Sequence, residues 1–569
     1  MRFLRMLTNA LLAGALGAAY LTILLLQLNP QIPLFSSSVW RWYLTLGALY
    51  GVHLALLFYV AMLVREFVSL TAFSPGWISV RLLAWLSAIA AAVAAVLMWL
   101  NLRGFPNALD EAAARRFTFG AAATTASAIV LVVIAIAHYS FGRRGSRVGA
   151  ALLLIAIIGS LALPIAARGL GGAPPLSGRT LRLADPPPAR EAPHLTLLVL
   201  DGASLDYIWP RVAAGRLPNL GRLLDSGAFM DLATIRPTQP DPVWTAVATG
   251  MYPNKNGVRS AASYYAPGDQ RGVDLLPDHC FSHVLVRLGV VRDQPNSSSA
   301  WRALPLWSIL GTYGISSGIV RWPLTYPAQP VDGFLVTDRF HQLIGSMSEF
   351  GGQAAYPMEL LPTVRDAFGG EPPSAADPAA MAARRDELYA RAWRDLQAAH
   401  PVRLSAIRFQ GIDAVSHMYL RYAQPQDFAD VPEADRQRYG GLLDRYYAYV
   451  DAQIATAVEQ LQPGDLLLVV SGFGMQPAGA VERAVSRVFR DPDVSGTHAG
   501  APDGFLLAYG SNVQPGRKQR GSIVDVTPTI LYYLGLPVGR DMDGYARADL
   551  FATSLTASRP ITFIPSHGR

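Results

Sequence analysis

Five apolar stretches in the first 170 residues constrain this chain more than any other feature. They run over about 7–28, 40–64, 82–102, 117–138 and 148–167. Each is close to the ~20 residues that a helix needs to cross ~30 Å of hydrocarbon. A polypeptide that carries five such segments buries them in lipid or not at all, because no water-soluble core absorbs that much apolar helix. The first stretch, Leu7 to Leu28, has the length of a signal peptide. Four further spans follow it and no cleavage motif intervenes, so it reads as a true span. Composition agrees: hydrophobic residues make up 51% and charged residues 16% of the 569 residues, against about 25% charged in ordinary soluble domains.

Arginine placement predicts the orientation. Arg2 and Arg5 precede the first span, Arg65 and Arg81 lie between the second and third, and Arg143, Arg144 and Arg147 between the fourth and fifth. The opposite side has none between the first two spans and Arg103, Arg115 and Arg116 between the third and fourth. The positive-inside rule then puts the N-terminus in the cytoplasm and everything beyond residue 170 outside. The expected location is a bacterial plasma (inner) membrane, with the C-terminal region periplasmic or extracellular. The spans hold no central Asp, Glu, Lys or Arg, which argues against a transporter. His53 and His138 are their titratable residues, and a lone histidine in a span is more often packed than a proton relay. The bland reading is an anchor in contact with membrane lipid.

The net charge of +7 does not indicate a nucleic-acid partner. The cations are scattered arginines, Lys255 and Lys518 are the lysines, and no basic run appears. The single cysteine, Cys280, excludes intrachain disulfides and multi-cysteine metal sites. Residues 171–193, GGAPPLSGRTLRLADPPPAREAP, read as a Pro/Gly/Arg-rich linker.

From His194 the pattern becomes short, nearly continuous apolar runs separated by helical stretches: Leu195–Leu200, Gly318–Val320, Phe334–Thr337, Leu404–Phe409, Leu466–Val470 and Phe505–Tyr509. Strands buried on both faces look like this, so a mainly parallel α/β/α sandwich is expected. Functional residues of such sheets gather in loops at the strand C-termini. Six segments stand there in order: LTLLVLDGASLDYIWP, RPTQPDPVWTAVATGMYPNKNGV, IRFQGIDAVSHMYLRY, LLLVVSGFGMQP, SGTHAGAPDGFLLAYG and GSIVDVTPTILYYLGLPVGRDMDG.

This series resembles the alkaline phosphatase superfamily, specifically its type I phosphodiesterases and nucleotide pyrophosphatases. The resemblance covers residues 194 to about 552, within a domain expected to span 194–569. Residues of about 255–400 look like the variable insertion that caps the site. The family's chemistry uses two metals and a hydroxyl nucleophile. By resemblance, one metal falls to Asp413, His417 and His498, an open three-ligand zinc site. The other would need Asp201 and an Asp-His pair, but that strand ends Ser471-Gly472-Phe473-Gly474. One zinc per chain is therefore expected. The family's nucleophile stands ten residues before the glycine of Trp-Thr-x-x-x-Thr-Gly, which is Pro240 here. Thr238 is the nearest substitute, and Asp201 is a second candidate, as general base or metal ligand.

Three readings stay open. A reduced one-metal hydrolase would use the zinc to lower the pKa of a bound water towards ~7 and cleave phosphate esters or phosphodiesters. A catalytically inactive member would act as a binding or scaffold protein in the cell envelope. A transferase acting on lipid-linked phosphate groups would match phosphoethanolamine transferases and lipoteichoic acid synthases in layout.

Overall fold

The structure, a computed structural model, describes residues 1–568 except 69–74, 141–146, 173–192, 281, 345–352, 370–374, 376, 429–430 and 490–493. The linker expected over 171–193 and the arginines at 143 and 144 fall almost wholly outside the described residues. Two compact units emerge: Met1–Ser177 with Ala262–Pro295, and Gly178–Ala261 with Asn296–Arg569.

In the first unit the five expected spans are helices, each long and apolar enough to cross a membrane: Arg2–Leu28, Ser37–Val68, Val80–Gly104, Glu111–His138 and Arg147–Arg168. The second contains a π turn at Gly47–Gly51. Gly51 packs there against Gly14 of the first helix, so closely that a Cβ on Gly14 would overlap the Gly51 carbonyl. Small residues permit that approach where no hydrophobic effect pulls helices together. Polar side chains close the remaining gaps: Tyr20 and Ser160 share a 2.6 Å hydrogen bond, and Gln27 donates to the Pro164 carbonyl at 2.8 Å. Arg168 is buried and, among the described residues, meets no carboxylate. It donates instead to the carbonyls of Leu26, Asn29 and Ile32, oxygens at and just beyond the end of the first helix, where carbonyls run short of i+4 amides.

Ala262–Pro295, part of the stretch 255–400, belongs to this unit. Its antiparallel strands, Ala262–Tyr265 and Arg292–Pro295, form a hairpin. Asn29 receives the amides of Asp274 and Leu275 at 3.0 and 3.1 Å and donates to the Leu275 carbonyl at 2.7 Å. Asn101 receives the Asp278 amide at 2.7 Å, and Ser38 donates to Asp269 at 3.1 Å. Tyr264, Val273, Leu276 and Leu285 pack with Leu25, Leu26, Trp42 and Leu46.

The second unit is built on a ten-stranded sheet. Its central strands run in the order Ala228–Ala233, Asp503–Tyr509, Leu466–Phe473, Leu195–Leu200, Leu404–Phe409, Ser317–Val320 and Gly333–Val336. The last five are mutually parallel, and Asp503–Tyr509 is antiparallel to both its neighbours. Two of these parallel strands lie inside 255–400, so that stretch supplies part of the sheet as well as the hairpin. Alternation along each strand feeds two cores. Leu195, Leu197 and Val199 enter one with Leu404 and Ala406, while Leu198 and Leu200 enter the other with Ile407 and Phe409. Arg408 shares the parity of the first set, at the C-terminal end of its strand. It pairs across from Val199, two residues before Asp201.

Candidate metal centre

The strand Leu404–Phe409 runs into the helix Gly411–Ala423, whose first turn holds Asp413. One turn later comes His417, with its Nε2 3.6 Å from Asp413 Oδ1. His498 arrives from the loop before the strand Asp503–Tyr509, its ring 5.2 Å from that of His417. One ligand atom from each of the three lies within 4.8 Å of the others.

Each imidazole is held by a backbone carbonyl. His417 Nδ1 bonds to the Gly496 oxygen at 2.7 Å and His498 Nδ1 to the Thr238 oxygen at 2.9 Å. A carbonyl can only accept, so each Nδ1 carries the proton and each Nε2 keeps its lone pair for a cation. Asp413 completes the set: its Oδ1 is buried and has no hydrogen-bond partner among the described residues. Burial pushes the Asp413 carboxyl above its ordinary value, against the opposing pull of His417. An unmade bond on a buried carboxylate is costly, and a cation among these atoms removes the cost. Two imidazole nitrogens and one carboxylate oxygen are an open donor set suited to zinc.

Asp201 is differently placed. It follows its strand directly, fully buried, and accepts from Trp244 Nε1 at 2.6 Å. Arg408 Nε lies 3.1 and 2.9 Å from its two oxygens, and Arg408 Nη2 bonds to Oδ2. The carboxylate is thus saturated by a guanidinium and an indole. Burial works to lower the Arg408 pKa, but the charge and hydrogen bonds of Asp201 outweigh it and raise it. Gly202, at φ 70°, turns the chain against Asp413; a Cβ there would sit 3.0 Å from the Asp413 Cα.

Thr238 is 4% exposed and donates its hydroxyl to the Ile235 carbonyl at 3.0 Å. Its contact with the centre is the carbonyl that holds His498. Pro240 opens the helix Pro240–Thr249, with Asp241 in the first turn. Burial raises the Asp241 carboxyl to about 6, moderated by Arg408.

Comparison with known proteins fixes the lineage. The profile of the type I phosphodiesterase / nucleotide pyrophosphatase family matches residues 195–510, more than half of the 569. The chain belongs to that family. Solved structures similar to it include human ectonucleotide pyrophosphatase / phosphodiesterase 5, at 13% identity and TM-score 0.39 over 63% of this chain and 100% of that one. The murine protein is similar in two structures, one an inactive variant in complex with AMP (13%, TM-score 0.39) and one at 12% and 0.38, with the same coverage. No curated protein matches the chain.

Within this phosphodiesterase family member the departures have a physical account. A Cβ at Gly472 would overlap Val243 Cγ1 and lie 3.4 Å from Trp244, so apolar side chains fill the space an aspartate there would need. Phe473 is fully buried, 5.2 Å from the His498 ring. Ser471 donates to the Ala203 and Phe473 carbonyls at 2.9 Å.

Sequence reasoning passed over Arg408. The signal was present: an arginine inside the apolar run SAIRF must find acceptors, a carboxylate above all, if the strand is buried. It also passed over Asp386, fully buried on the long helix Pro378–Ala399. Asp386 binds the Arg321 guanidinium and the Tyr446 hydroxyl and accepts the Gly411 amide at 3.0 Å, pinning the turn that leads to Asp413. No motif marks that residue.

Proposed function

We propose that this chain is a membrane-anchored hydrolase of phosphate esters or phosphodiesters that works with one zinc ion at Asp413, His417 and His498. The observation that carries the reading is the unpartnered, buried Oδ1 of Asp413 beside two imidazoles whose Nδ1 protons are already committed. Zinc bound there supplies Lewis acidity, polarising a phosphoryl oxygen and making a bound water more acidic. The chain's own residues hold and orient: Gly496 and Thr238 fix the two rings, and the network of Asp386 fixes the helix start that carries Asp413. Thr238 acts through its carbonyl rather than as a nucleophile, and Asp201, saturated by Arg408 and Trp244, is neither general base nor metal ligand. The helices tie the domain to lipid, and the arginine distribution supports a plasma membrane location with the N-terminus cytoplasmic and the catalytic unit outside.

A second reading has its own support. Pro240 stands at the nucleophile position and Thr238 is bonded to Ile235, so a member retained for binding phosphate-bearing ligands is the alternative. The proline at the nucleophile position argues likewise against a phospho-transferase. The test uses the full-length protein in detergent: metal per chain by mass spectrometry, with turnover of bis(p-nitrophenyl) phosphate. About one zinc, lost together with turnover in His417→Ala and His498→Ala, supports the hydrolase. Zinc without turnover selects the binding protein, and no metal in a folded sample sinks both metal readings.

A further inference from the structure

The Asp201–Arg408 pair lies beside the metal centre yet belongs to neither of its tasks so far described. As an element of stability it is poorly explained, because a buried ion pair is often no better than an apolar pair of the same volume. Its position is informative. Arg408 is the penultimate residue of the strand Leu404–Phe409, five residues before Asp413, and the loop after Asp201 lies against the Asp413 backbone at Gly202. Asp201 is the residue that, by resemblance, would hold the family's second metal. Both of its oxygens are engaged by Arg408, while Gly472 and Phe473 offer no ligand and Val243 and Trp244 fill the adjoining space.

We propose that the Arg408 guanidinium takes the place of the second metal, gripping Asp201 on one side and an oxyanion of the substrate on the other. Asp201 engages Nε and Nη2; among the described residues, Nη1 is the arm of the fork without a bond to it. A guanidinium suits the role because it stays charged at every physiological pH and presents planar paired donors to tetrahedral oxyanions. Asp241 and Asp338 also face Arg408 with their charges, and Arg339 stands beside them. The ligand class is a phosphate or sulfate ester group, one oxygen of which Arg408 would hold beside the cation site of Asp413, His417 and His498. The inference rests on the one-zinc reading above and extends it to a residue that no motif of the family assigns.

The test uses full-length, zinc-loaded protein in detergent, with inorganic phosphate as the probe in titration calorimetry and metal content measured on the same samples. Arg408→Lys keeps a charge but loses the fork. The paired variant Asp201→Asn with Arg408→Met removes both charges without leaving either one buried alone, so it tests the idea even if the lysine variant fails to fold. Both are expected to keep about one zinc and to bind phosphate roughly 10- to 100-fold more weakly, as for loss of a charged hydrogen bond. Phosphate affinity unchanged in the paired variant, with zinc retained, overturns the role of Arg408 and leaves the metal centre standing. Absence of zinc from the unsubstituted protein overturns the metal centre, and this inference with it.

Discussion

Asp386→Ala is the substitution that most sharply probes how the fold presents Asp413. Asp386 is fully buried, and Arg321, its ion-pair partner, is 2% exposed. Truncation leaves three groups behind: the Arg321 charge, the Gly411 amide and the Tyr446 hydroxyl. Arg321 keeps a bond to Gln410 at 3.2 Å, so its charge is not wholly stranded. Breaking a buried pair by removing one partner costs about 3–5 kcal/mol. At the ~2 °C per kcal/mol appropriate to a large domain, the melting temperature falls by about 6–10 °C. The control is Arg384→Ala, which removes a 2.9 Å pair to Glu387 between two side chains that are 41% and 48% exposed and costs about 0–0.5 kcal/mol. The assay is thermal unfolding of the full chain by tryptophan fluorescence, with zinc affinity measured by competition with a chromogenic chelator. Because the Gly411 amide belongs to the turn that carries Asp413, zinc affinity is expected to fall as well. A melting temperature within about 1 °C of that of Arg384→Ala would refute the reasoning.

Three further outcomes are expected. Asp241 has a raised carboxyl pKa, from 3.8 to about 6, so its contribution favours the fold below about pH 4 and is lost as pH rises through 6. Asp241→Asn removes that loss, raising stability at pH 7 by up to about 3 kcal/mol and flattening the profile between pH 4 and 6; a wild-type profile in the variant contradicts this. Chelation of zinc at neutral pH lowers the melting temperature and its return restores it, since zinc at a hundredfold excess over its Kd stabilises by about 2.7 kcal/mol; no shift on chelation speaks against a built site. Asn29→Ala strips the hairpin region of three hydrogen bonds to one side chain and is expected to speed trypsin cleavage at Arg271, Arg287 or Arg292, whereas an unchanged digestion pattern would show that the segment holds without them.

How much of this was legible in the chain depends on the range of the interaction involved. Asp413 and His417 were named by resemblance, and their i, i+4 spacing needs only one turn of helix to bring them together. His498 was reached only through resemblance, since nothing local ties it to a helix some eighty residues earlier. Thr238 was picked out for its hydroxyl, and what it contributes is its backbone carbonyl, a group that every residue carries. Arg408 was hidden by averaging: one cation among apolar neighbours leaves a run looking like any buried strand. The stretch 255–400 looks like one insertion by resemblance, and three-dimensional pairing sorts it between a hairpin and strands of the sheet.

The sequence by itself determined the five apolar helices and the strands buried on both faces, all properties of contiguous residues. Only the tertiary structure decided which carboxylate each buried cation meets. Asp201 and Arg408 are 207 residues apart, and Arg321 and Asp386 are 65 apart. Hydropathy and periodicity are sums over neighbours, whereas a buried charge is satisfied by whichever partner the packed sheet brings within about 3 Å.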